Sequence, residues 1–119
     1  MQLHTTSTAR QVRVQSLESR IADALDLGDA TLHRVDFDDL FLSEAAMKAL
    51  HHIGDLIVKH YRREGREAKS HDFSLHSLTM HAHWVEQSGN LIICAEYGED
   101  IHCVQVPARH WTLRNAKFH

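Results

Sequence analysis

With 119 residues, the chain is sized for one domain, long enough to bury roughly two-thirds of its surface without metal or disulfide staples. Hydrophobic residues at 43% and charged residues at 24% are ordinary for a globular protein, and two cysteines exclude a disulfide-dense secreted scaffold. A net charge of −3 argues against nucleic acid as a partner, no apolar run is long enough to span a membrane, and residues 1–8 lack the apolar centre of a signal peptide, so the expected location is the cytoplasm.

The first predicted element is a helix over about 8–27. Thr8 and Gln11 have capping-box spacing, and Val14, Leu17, Ile21 and Leu25 recur every three or four residues as one narrow apolar stripe. Gly28 is the expected left-handed residue at its end. So thin a stripe lies on something, either its own domain or a second copy. Residues 31–37 alternate loosely and predict a short edge strand. Asp36, Asp38 and Asp39 follow; without an Asx-Gly loop they read as turn formers and helix-dipole partners rather than cation ligands.

A second helix is predicted over about 43–63. Ser43 is its cap, and Met47, Leu50, Ile53, Ile57 and Tyr61 form its stripe. The mixed charges at its end, Lys59, Arg62, Arg63, Glu64, Arg66, Glu67 and Lys69, read as a solvated face. Three strands complete the chain, at about 73–87, 91–98 and 101–107. The fold class is therefore α+β: two main helices packed on a C-terminal three-stranded antiparallel meander, as a single domain over 1–119.

Hairpin parity sorts the strand residues into two faces, because neighbours on a strand point to opposite sides. Leu78, Met80, Ala82, Trp84, Leu91, Ile93, Ala95, Tyr97, Val104 and Val106 share the core face, with the second helix over it. His81, His83, Val85, Ile92, Cys94, Glu96, Ile101 and Cys103 share the other. A two-residue second turn at Glu99-Asp100 sets Tyr97 opposite His102 and leaves Cys94 diagonal to Cys103, which places a disulfide poorly.

The mixed second face is the candidate site. Apolar groups interleaved with imidazoles, thiols and a carboxylate resemble an interface core with polar specificity groups. The sequence reading is a cytoplasmic regulator or adaptor without a cofactor. It is expected to form a homodimer and to bind another protein, sequestering a transcription factor or an enzyme. Val14, Leu17 and Ile21 on the first helix and His83, Ile92 and Cys103 on the sheet are the contact residues. The alternative is a zinc or nickel site, since His81 and His83 at i and i+2 point the same way and Glu96 supplies a third ligand. A second alternative is a small RNase of toxin type, suggested by size and element order and by no motif, with Arg109, His110 and Arg114 as acid, base and phosphate holders.

Overall fold

The computed structural model describes residues 3–7, 16–63, 65, 79–97 and 100–114. In chain order these form β1 (Leu3–Ser7), α1 (Leu17–Ala24), β2 (Leu32–Val35), β3 (Leu40–Leu42), α2 (Glu44–His51), α3 (Ile53–Arg63), β4 (Thr79–Val85), β5 (Leu91–Tyr97), β6 (Asp100–Val106) and β7 (Trp111–Leu113), with short 3-10 turns at Phe37–Asp39 and Ala108–His110. The α+β class stands. The detail of two helices on a three-stranded meander does not.

The meander β4-β5-β6 is the middle of a five-stranded sheet ordered β1-β6-β5-β4-β2, antiparallel at every pairing. β2 is the edge strand expected near 31–37. β1 forms the other edge, and β3 pairs with β7 in a separate two-stranded sheet. Among the described residues no helix is long and apolar enough to cross a membrane.

The second hairpin register differs from expectation by two residues, and the first differs by two from that of a Ser88-Gly89 turn or by four from that of a Gly89-Asn90 turn, the two-residue turns the sequence allows. Val85 N–H bonds the Asn90 carbonyl at 2.9 Å and Gly89 N–H bonds the Val85 carbonyl at 2.7 Å, so the first turn runs through residues 86–89 rather than through two residues. Gly89 sits at φ +74, a backbone setting that glycine adopts without strain. Trp84 then faces Leu91, and His83 faces Ile92. Across the second hairpin Tyr97 faces Asp100, Ala95 faces His102 and Cys94 faces Cys103 directly. An even shift keeps every side chain on its expected face and changes only its neighbours.

The two faces are therefore as expected, but both are covered. α2 and α3 lie over the first, with Ala46, Leu50, Ile53, Ile57 and Val58 packed on Ala82, Leu91, Ile93, Ala95, Val104 and Val106. α1 lies over the second, its Ile21 and Leu25 against Val85, Ile92, Cys94, Ile101 and Cys103. The sheet is the middle of three layers, and the narrow stripe rests on its own domain.

Local chemistry explains the helix boundaries. The capping pair Thr8–Gln11, the stripe residue Val14 and the core-face residue Leu78 lie outside the described residues. In the described part, Ser16 caps α1 by accepting the Ser19 N–H at 3.1 Å. The end is a Schellman turn: Leu27 N–H bonds the Ala22 carbonyl at 2.9 Å and Asp26 N–H bonds that of Asp23 at 3.3 Å. Asp26, at φ +54, takes the position directly after the cap, and Gly28, left-handed as expected at φ +60, follows two residues later; aspartate is among the few side chains that tolerate such a φ. The single helix expected over 43–63 breaks at His52. α2 faces the Leu40–Leu91–Ile93 cluster and α3 the Ala95–Val104 cluster, so each half follows its own patch. Gly54, a weak helix former, sits at the break.

Candidate functional site

The second sheet face carries a partly exposed polar seam alongside α1. Arg34 Nη2 donates to His81 Nδ1 at 2.7 Å, which puts the ring proton on Nε2, 3.2 Å from Glu96 Oε2. Arg20 Nη1 reaches Glu96 Oε1 at 3.6 Å from α1. The chain Arg34–His81–Glu96–Arg20 thus ties β2, β4, β5 and α1 together. His83 lies beside it, fully buried, with Glu18 Oε1 3.4 Å from Nε2. That contact falls outside hydrogen-bond geometry, so Glu18 is an ion partner only, and neither ring nitrogen makes a hydrogen bond of good geometry among the described residues. Burial pushes the His83 pKa down, with Arg34 and His81 adding to the shift and Glu18 opposing it. Glu18 is held low first by a hydrogen bond from its own backbone N–H at the start of α1, and next by His83.

By register, His4, Cys103, Cys94 and His81 form a row across four strands. The structure brings His81 and Glu96 together but leaves His83 apart from them. The only lone pair of His81 is occupied by Arg34, so a metal there would have to displace a guanidinium. Among the described residues no three or more histidine, cysteine, aspartate or glutamate side chains are grouped to hold an ion.

The residues expected to contact a partner are placed differently. Ile21, His83, Ile92 and Cys103 are fully buried, Leu17 is half-buried against the same cluster, and Val14 lies outside the described residues. In the described residues these side chains pack inside the domain, while Glu96 on the same face keeps 35% of its side chain exposed. Of the trio named for RNA cleavage, two make local contacts and one is exposed. His110 Nδ1 lies 2.9 Å from Ser43 Oγ at the α2 cap, Arg114 Nε donates to the Leu40 carbonyl at 3.1 Å, and Arg109 is exposed.

What the sequence reading passes over is a cleft at the other end of the sheet. A cavity of about 500 Å³ is lined by Arg34, Val35, Asp36, Asp39, Trp84 and Leu113. A second, of about 320 Å³, is lined by Trp84, Gly89, Ala108, Trp111, Thr112 and Leu113. Trp84 and Leu113 are walls of both. The walls are held by backbone chemistry: Trp111 Nε1 donates to the Gly89 carbonyl at 2.8 Å, Ala108 N–H to Asn90 Oδ1 at 3.2 Å, and Arg114 N–H to the Asp39 carbonyl at 2.7 Å. His33 stacks on Trp84 with centroids 4.4 Å apart and planes at 22°. Phe41, 59% exposed, stands across the β3–β7 pair from Thr112.

No family model matches the chain, and no curated protein or solved structure is significantly similar to it.

Proposed function

We propose that this chain is a protein-binding module of regulatory or adaptor type, and that it holds a short extended peptide of its partner in the cleft around Trp84. The observation that supports this most is the meeting of two cavities of unlike chemistry along shared walls. The larger has two exposed carboxylates, Asp36 and Asp39, against one guanidinium, Arg34, already engaged by His81. It favours a basic side chain. The smaller is walled by two tryptophans and a leucine and favours an aromatic or aliphatic one. Residues i and i+2 of an extended peptide share a side and lie about 6.5–7 Å apart, which suits adjoining chambers. Both volumes fall within the range typical of ligand pockets, about 300–1,000 Å³. Phe41 adds an exposed aromatic of the kind enriched at interfaces. Phe41 and Met47 are the large apolar side chains exposed among the described residues, and a second copy of the chain would have to meet this one there rather than through Ile21 or Ile92.

Random peptides displayed on phage and selected on the immobilised protein test this reading. The expected result is a motif with a lysine or arginine two positions from an apolar residue. Exposed ion pairs contribute about 0.2–1 kcal/mol each, so the double change Asp36→Asn, Asp39→Asn should weaken a selected peptide by roughly 2- to 30-fold. Failure to enrich any motif, or equal binding by the double variant, overturns it.

A further inference from the structure

Neither the cleft nor the polar seam uses the two thiols. Facing residues of an antiparallel ladder have Cα atoms about 4.5–5.5 Å apart, inside the roughly 4.4–6.8 Å span of a disulfide. Cys94 and Cys103 are such a pair, and their Sγ atoms are 3.2 Å apart. Bringing them to bonding distance needs movement of side chains and none of the backbone. We propose that Cys94 and Cys103 form a thiol–disulfide exchange site that closes into a cross-strand disulfide when offered a small-molecule disulfide such as oxidised glutathione.

The chemistry balances in two exchanges. One cysteine loses its proton and attacks a sulfur of the small disulfide. That bond breaks, one small thiol leaves with the proton, and a mixed disulfide remains on the protein. The second cysteine gives up its proton and attacks the protein-side sulfur. The Cys94–Cys103 bond forms, and the second small thiol leaves. The small disulfide takes up two electrons and two protons, and the protein loses two hydrogens.

The surroundings decide when this happens. Both thiols are fully buried beneath Ile21 and Leu25. The Cys94 pKa is pushed far up, first by its hydrogen bond with Cys103 and then by burial, which keeps the nucleophilic thiolate scarce. Access requires α1 to lift. α1 has eight residues, too few to hold as a helix without its packing. Exchange is therefore slow on the folded protein and fast while the chain folds. Once closed, the bond ties β5 to β6 at the centre of the sheet.

The test equilibrates the full chain in buffers of increasing oxidised-to-reduced glutathione ratio, in one arm folded and in the other refolding from urea. Acid quenching, N-ethylmaleimide in urea and intact mass follow. The expected product is lighter by two hydrogens, carries neither maleimide nor glutathione, forms faster in the refolding arm and is reversed by dithiothreitol. Cys103→Ser should instead stop at a single glutathione adduct. Two free thiols in both arms at the most oxidising ratio, or wild-type protein ending with a glutathione on each cysteine, overturns the proposal. The refolding arm with wild-type chain keeps the test decisive even where the serine variant does not fold.

Discussion

Replacing Ile21 with alanine is expected to lower the unfolding free energy by about 2–5 kcal/mol, the usual cost of truncating a buried isoleucine. Ile21 is the fully buried residue of α1 and touches the cluster of Val85, Ile92, Cys94, Ile101 and Cys103. Its partner Leu25 sits at the helix cap rather than within the helix. Removing the isoleucine opens a cavity against the sheet and weakens the main apolar attachment of a helix too short to stand alone. A dimer stripe open in the monomer predicts otherwise, because an exposed substitution stays within about 0.5 kcal/mol. Urea titration separates the two. A midpoint shift with unchanged slope and a loss above about 2 kcal/mol places Ile21 inside. A loss below about 0.5 kcal/mol contradicts the structure.

His83 should give the second large effect, through pH. Its pKa lies below the ordinary 6.5 in the folded chain because burial disfavours the imidazolium. The groups around it are Glu18 from α1, Arg34 from β2 and His81 from its own strand. Above pH 6.5 the ring is neutral in both states and contributes no pH dependence. Below 6.5 the unfolded chain takes up a proton that the folded chain refuses. Stability then falls with a slope of at most about 1.4 kcal/mol per pH unit until the folded pKa is reached. Glu18 acts lower: its depressed carboxyl contributes stability that is fully present above 4.5 and is lost as pH falls through its folded pKa.

His83→Leu removes the first contribution. Urea melts of parent and variant between pH 7.5 and 5 should diverge, the parent losing more stability below 6.5 than the variant. At pH 7 the variant should be at least as stable, because an unsatisfied buried polar group costs about 1–3 kcal/mol. Parallel profiles would mean that burial of His83 does not disfavour its protonation.

Much of this architecture is legible in the sequence because side-chain alternation has a period of two. The division of Met80–Trp84 and Leu91–Tyr97 into faces follows from apolar alternation alone. Register does not, because moving a two-residue turn along the chain by one position, or lengthening it to four residues, preserves the same parity. That ambiguity separates Cys94 from Cys103 on paper and sets them opposite each other in the fold. The cover over the second face is hidden for a different reason. The stripe Leu17–Ile21–Leu25 is as compatible with a partner as with the chain's own sheet, and nothing local to those residues chooses. β3 and β7, Leu40–Leu42 and Trp111–Leu113, are too short to show a period, so the cleft they wall leaves no pattern. Its signals in the sequence are scattered: the acidic cluster after β2, Trp84 with inward parity, and an isolated Trp-Thr-Leu after the lone proline. β1, Leu3–Ser7, carries one strongly apolar residue, and its place at the edge comes from backbone pairing with β6.

α1 seals Cys94, Cys103 and His83 from solvent, and the fold of the second face and the exchange site both depend on that seal. Timed alkylation of the reduced, folded protein with N-ethylmaleimide, with mass analysis of Cys94 and Cys103, tests it most directly. Both thiols should remain unmodified while exposed model thiols react to completion, and both should label at once in urea. Rapid stoichiometric labelling of either cysteine in the folded chain, with no loss of structure, would contradict it.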